Sequence, residues 1–148
     1  DLVVTGVQTC ALPIYGSSKG REMENNPNIS GLFFWPELHR QIRLEGVVSK
    51  TSDDVSDNYF ASRPRGAQLS AIASSQSTEI EGRETVEDRI KELEIEFEGK
   101  DIPRPDNWGG YAIDISFWEF WQGRRSRTHD RFIYVKNDNS WEITRLSP

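Results

Sequence analysis

One cysteine, one methionine and two histidines are all that this 148-residue chain holds of its softer metal-binding side chains. A disulfide framework and a cysteine-based metal cluster are thereby excluded. His39 and His129 alone leave little for a zinc site, so no metal-ligating residue is expected. No apolar run approaches the roughly 18 residues that a membrane-spanning helix needs. Glycine-rich dinucleotide and phosphate loops are missing, and so is the G-x-S-x-G elbow of serine hydrolases. There is no internal repeat and no low-complexity segment. The formal charge of −6 speaks against a long polyanion, so neither nucleic acid nor membrane is an expected partner.

Aromatic side chains are plentiful: five Trp, four Tyr and seven Phe argue for a packed core. With 35% hydrophobic and 28% charged residues, the length suits one domain. The charge is unevenly placed. Residues 79–99 carry nine acids and three bases, which equals the whole net charge. Residues 124–136 have the opposite bias, with Arg124, Arg125, Arg127, Arg131 and Lys136 against Asp130. A local basic cluster on an acidic chain suits a small anionic ligand.

Residues 4–14 match the translation of a common sequencing-adapter oligonucleotide. Residues 1–14 are therefore expected to be a non-native tail, and Cys10 falls within it. Residues 15–148 form the remaining unit. Residues 29–34 read as a short buried strand ended by Trp35-Pro36. Residues 41–50 alternate, with Ile42, Leu44 and Val48 on one face, as in a half-buried antiparallel strand. Ser52-Asp53-Asp54 reads as a helix start, with Val55 and Tyr59 on one face. Pro64 is expected at the first position of another short helix. Residues 83–98 give the clearest helix, its stripe made by Val86, Ile90, Leu93 and Phe97 and its acids turned to solvent. Pro103, Pro105 and Gly109-Gly110 mark a loop. Residues 111–121 read as a long strand, and residues 131–136 and 141–146 as a hairpin. The expected class is mainly β with helices (α+β): a small β-barrel with helices at its ends.

Three clusters carry chemistry. Residues 59–65 place Arg63 and Arg65 near a helix end, where they are either ordinary surface charges or a fork for a phosphate. Residues 74–77 offer hydroxyl and amide donors on a loop. Trp118 and Trp121 stand beside the arginine run that contains His129. Either this is an aromatic wall with anion donors for a flat phosphorylated ligand, or a core Trp pair beside a solvated turn. His39 reads as a surface histidine.

The segments FFWPELHRQIRLEG, YFASRPRGAQLSAIASSQS, WGGY, EFWQG, RTHDRFIY and RLSP occur in this order. They resemble the pyridoxine/pyridoxamine 5′-phosphate oxidase family, and the likeness runs from about residue 15 to the end. The resemblance implies an FMN-binding split β-barrel that forms a homodimer, incomplete here at its N-terminal side. It implies oxidation of pyridoxine or pyridoxamine 5′-phosphate to pyridoxal 5′-phosphate, with oxygen as acceptor and a cytoplasmic location. The cofactor does the redox work and the protein positions and polarises. By the same resemblance Tyr59, Arg63 and Ala67 lie at the substrate phosphate. Arg127, Thr128 and His129 lie at the pyridine ring, with Arg127 and His129 in the catalytic roles. Lys19, Gln76 and Ser77 bind FMN, and Gln41, Trp121 and Arg131 contact it from the partner subunit.

Two positions depart from the family pattern. Ala67 stands where a serine is usual, and Ser18 where an arginine is usual. A competing expectation is a non-catalytic split-barrel protein that binds flavin or pyridoxal phosphate. The retained set Tyr59, Arg63, Arg127 and His129 favours the oxidase, because a flavin carrier has no need of it.

Overall fold

The computed structural model describes residues 14–138 and 140–148. The expectations for residues 1–13, Cys10 included, lie outside the described residues. Two compact units make up the chain. One joins Asn26–Ser49 to Ile113–Pro148, and the other joins the described residues up to Asn25 to Lys50–Ala112.

The second of these units is helical: α1 Ser18–Asn25, α2 Asp53–Ser62, α3 Arg65–Ala73 and α4 Arg83–Glu96. The Ser52 hydroxyl caps α2 by accepting the Val55 N–H at 3.4 Å, and Asp53 and Asp54 favour the positive end of the helix. Pro64 forces Arg63 into an extended backbone, which stops the helix. Pro64 is itself the N-cap of α3, one position earlier than the sequence pattern predicts. The buried face of α2 carries Ser56 and Phe60, whereas Val55 and Tyr59 lie on its outer side. The i, i+4 spacing located a face correctly but not the one that packs.

Phe60, Leu69, Leu93, Ile102, Trp108 and Ile14 form the core of this unit. Burying a side chain of the Phe60 or Leu93 type contributes about 1.5–3 kcal/mol. On α4, Leu93 is fully buried and Val86, Ile90 and Phe97 half-buried, so the predicted stripe is the packed one. Arg65 donates to the carbonyls of Phe97 (2.5 Å) and Lys100 (3.0 Å), binding the start of α3 to the end of α4.

The other unit is a five-stranded sheet in the order β1 Asn28–Trp35, β2 Arg40–Lys50, β3 Tyr111–Gln122, β4 Asp130–Asn137 and β5 Ser140–Leu146. β1 and β2 pair antiparallel with Phe33 opposite Ile42. β3 and β4 pair with Trp121 opposite Arg131, and β4 and β5 with Tyr134 opposite Ile143. Gly46 lets β2 lie close against β3, since a Cβ there would collide with the Asp114 carbonyl oxygen.

β1 is not the buried strand its apolar run suggests. It is an edge strand, and Leu32 is 63% exposed. The chain is thus α+β, with an open sheet whose edges are β1 and β5.

Candidate functional site

In the helical unit, Tyr59 lies on the outer face of the last turn of α2, and Arg63 is the extended residue that ends that helix. Both meet Trp108. The Tyr59 ring stacks on the indole with centroids 6.3 Å apart and planes 10° from parallel. The Arg63 guanidinium lies 5.1 Å from the same ring. Phe60 closes the other side of Trp108, edge-on at 5.0 Å. Among the described residues Arg63 Nη1 is buried and has no hydrogen-bond partner. A buried charged donor without an acceptor is costly unless an anion takes it.

Arg104, which the sequence pattern did not single out, holds this arrangement. Its Nη1 donates to the Trp108 carbonyl at 2.6 Å, its Nε to Asp57 at 2.5 Å and its Nη2 to Asp53 at 2.8 Å. The indole is thereby fixed to α2, which carries Tyr59 and Arg63. The Asp57 hydrogen bond, with help from Asp53, raises the Arg104 guanidinium above its usual range, so it stays charged.

Ala67 is half-buried in the first turn of α3, and its N–H donates to the Pro64 carbonyl at 2.8 Å. Next door Gln68 donates to the Phe60 carbonyl at 2.9 Å. Gln76 and Ser77 follow α3 in a turn closed by the Thr78 N–H on the Ser75 carbonyl. Ser77 holds a left-handed backbone, φ 66°, and the Gln76 side-chain carbonyl accepts the Ile14 N–H at 3.3 Å. Lys19 is exposed on α1 and makes no ion pair among the described residues.

In the sheet unit, Trp121 and His129 rings stand 4.8 Å apart. The Arg124 N–H donates to His129 Nδ1 at 3.1 Å, so the imidazole hydrogen sits on Nε2. Ser126 and Arg127 are both left-handed, with φ of 55° and 61°. Each non-glycine residue held this way costs about 1–2 kcal/mol. The Thr128 hydroxyl and N–H both donate to the Arg125 carbonyl, which holds the turn. Arg124 and Arg145 both donate to Asp130, and the Arg124 hydrogen bond is the main cause that holds its carboxyl below the usual carboxylate range.

A cleft of about 420 Å³ opens in this unit between Trp35, Arg40, Gln41, Trp121, Arg124 and Phe132. Gln122 secures its floor. Its amide donates to the Leu38, His39 and Gly123 carbonyls, and its carbonyl accepts from Arg40 at 2.7 Å. Gly123 must lack a Cβ, which would fall 2.8 Å from that of His39. Gln41 and Trp121 therefore line one cleft. Arg131 lies directly opposite Trp121 across the β3–β4 pair, on the same side of the sheet.

A family model described as "Pyridoxamine 5'-phosphate oxidase" matches residues 14–96. A second, "Pyridoxine 5'-phosphate oxidase C-terminal dimerisation region", matches residues 108–148. The chain belongs to the pyridoxamine 5′-phosphate oxidase family. The pyridoxine/pyridoxamine 5′-phosphate oxidase of Rubrobacter xylanophilus is 52% identical over 134 residues, covering 90% of this chain and 62% of that protein. Its counterpart in Flavobacterium johnsoniae is 53% identical over 134 residues, again with 90% of this chain and with 63% of the relative. The chain thus spans less than two thirds of the length of these oxidase-family relatives.

Among solved structures, PhzG from Burkholderia lata, in complex with tetrahydrophenazine-1-carboxylic acid, superposes with a TM-score of 0.84. It is 31% identical, with 93% of this chain and 67% of that one covered. A pyridoxamine 5′-phosphate oxidase-related, FMN binding protein from Nostoc punctiforme has the same fold at a TM-score of 0.70. It is 15% identical, with 93% of this chain and 71% of that one covered. Two groups of oxidase-family positions are thus each gathered within one unit: Tyr59 with Arg63 on Trp108, and Gln41, Trp121, Arg131 and His129 about the sheet.

Proposed function

We propose that this chain carries the substrate- and FMN-binding parts of a homodimeric pyridoxine/pyridoxamine 5′-phosphate oxidase that yields pyridoxal 5′-phosphate with oxygen as acceptor. The observation that carries the reading is the buried Nη1 of Arg63, which has no hydrogen-bond partner among the described residues. A phosphate oxygen is the acceptor that such a donor lacks, and Tyr59, which stacks on the same indole, supplies a hydroxyl as a second donor in this reading. Ala67, at the same helix start, contributes no hydroxyl. The cytoplasmic setting of this reading comes from the family resemblance.

The donor set also fits the cofactor. Trp121 offers a flat apolar wall, Gln41 an amide, and Arg131 guanidinium donors on the same side of the sheet. Gln76, Ser77 and Lys19 are the further FMN ligands of this reading. When bound, FMN supplies the two-electron acceptor. The protein's own part is to hold and polarise the substrate. His129, acceptor at Nδ1, presents its Nε2–H as a fixed donor. Arg127 presents a permanent positive charge from a left-handed backbone, its guanidinium makes no ion pair among the described residues, and Thr128 anchors the turn beside it. Such pre-set donors stabilise charge that develops on a substrate ring without reorganising.

The competing reading, a binding protein without catalysis, gives no use for the strain at Ser126 and Arg127. Pyridoxal 5′-phosphate formation by the dimer, measured by absorbance with added FMN, tests the proposal. Arg127→Ala is expected to abolish turnover while leaving flavin binding in place. Undiminished turnover in that variant contradicts the assignment.

A further inference from the structure

Of the side chains on β3, β4 and β5 described within the sheet unit, the most deeply buried belongs to an acid. Glu119 is 4% exposed and sits in the middle of β3. A lone carboxylate in that position would be strongly disfavoured. Two arginines from the neighbouring strands satisfy it. Arg43 on β2 donates Nη1 to Oε2 at 2.9 Å, and Arg131 on β4 donates Nε to Oε1 at 2.7 Å. Each carboxylate oxygen thus serves one arginine, and the three strands are tied across one face.

The alternation of side chains puts more on that face. Trp121 is two residues from Glu119 along β3, and Gln41 two residues from Arg43 along β2. Arg131 is opposite Trp121. The carboxylate therefore sits among Gln41, Trp121 and Arg131, the residues that the proposed function gives to the flavin. Arg131 spends its Nε–H on Glu119 and one Nη1 hydrogen on the Ser147 carbonyl at 3.3 Å. Its remaining donors have no partner among the described residues, and the two bonds it makes fix the plane of the guanidinium.

We infer that Glu119 is a positioning residue for cofactor binding: its buried carboxylate sets the plane and direction in which Arg131 presents its free donors. The inference rests on the proposed FMN reading. Glu119 touches no ligand itself. Its second arginine, Arg43, also bonds Glu45 at 3.3 Å and serves the sheet alone.

The test is an FMN titration of the full chain, followed by flavin fluorescence, with Glu119→Gln, Arg131→Ala, the double variant and Arg43→Met. Gln keeps the shape and removes the charge that orients the guanidinium. Glu119→Gln is expected to weaken FMN binding about tenfold. It is also expected to shift the visible absorption envelope of the bound flavin. The same change made on top of Arg131→Ala is expected to add nothing. Arg43→Met is expected to bind as the unsubstituted chain does.

Equal affinities for Glu119→Gln and the unsubstituted chain overturn the inference, and so does an equal loss in the Arg131→Ala background. Failure of the unsubstituted chain to bind FMN overturns the cofactor reading as well. If Glu119→Gln does not fold, Glu119→Asp takes its place. It keeps the charge but withdraws it by one methylene, and the same non-additivity with Arg131→Ala is required.

Discussion

Arg63 is the residue on which the substrate reading turns. Its Nη1 is buried with no acceptor among the described residues, so its removal leaves the phosphate without a charged partner. Hydrogen bonds to charged groups contribute about 1.5–3 kcal/mol, so Arg63→Ala is expected to weaken pyridoxal 5′-phosphate binding about ten- to a hundredfold by calorimetry. Tyr111 makes a complementary case. Its hydroxyl is buried with no hydrogen-bond partner among the described residues, and that burial pushes its ionisation above the usual range. Lys50, hydrogen-bonded to Glu24 at 2.6 Å, is likewise raised.

Both groups keep their protons longer in the fold than in the unfolded chain. Their stabilisation is whole below their unfolded values, and is lost as pH rises beyond about 10. Tyr111→Phe is expected to lessen that alkaline loss and to leave the melting temperature at neutral pH no lower. A marked drop at neutral pH would show that the hydroxyl has a partner. The strained pair near the ring-binding positions gives a third outcome. Ser126→Gly relieves a left-handed serine and is expected to stabilise the chain by about 1 kcal/mol in urea unfolding.

At the scale of elements, what the sequence shows locally and what it hides are easy to tell apart. The stripe of α4 is a local signal, and its Leu93 is the side chain that packs. Leu93→Ala is expected to cost about 2–5 kcal/mol, whereas Ile95→Ala, at a site 77% exposed, should stay within about 0.5 kcal/mol. Thermal or urea unfolding distinguishes them, and equal effects would mean that α4 packs by another face.

β1 misled because an apolar run does not reveal whether a strand is central or at an edge. That depends on which strands lie beside it. For α2, Val55 and Tyr59 mark a real face, but it is the outer one: Tyr59 covers the core from outside by stacking on the indole of Trp108, 49 positions further on. Glu119, Arg104 and Gln122 were invisible for the same reason. Their partners, Arg43, Asp53, Asp57 and Arg40, are brought near only by tertiary pairing. The roles given to Tyr59, Arg63, Arg127 and His129 rest on long ordered motifs, because local chemistry alone does not demand them.

At the scale of the whole molecule, the sheet unit leaves large apolar side chains in water. Ile143 is 58% exposed, and Leu32, Phe34 and Trp141 are exposed too. Residues 108–148 match the family's dimerisation region, and self-association is the economical cover for such a surface. Sedimentation is expected to show a dimer, and Ile143→Glu to shift it toward monomer. Undisturbed dimers in that variant would place the interface elsewhere.

Flavin binding is the property on which the oxidase reading depends most directly. In that reading Gln41, Trp121 and Arg131 of one subunit act together with Lys19, Gln76 and Ser77 of the other. FMN titrated into the purified chain, with flavin fluorescence as the readout, measures it in one experiment. Saturable quenching at micromolar FMN, lost in Trp121→Ala, is the predicted result. Fluorescence that stays proportional to added FMN, with no saturation, would contradict it.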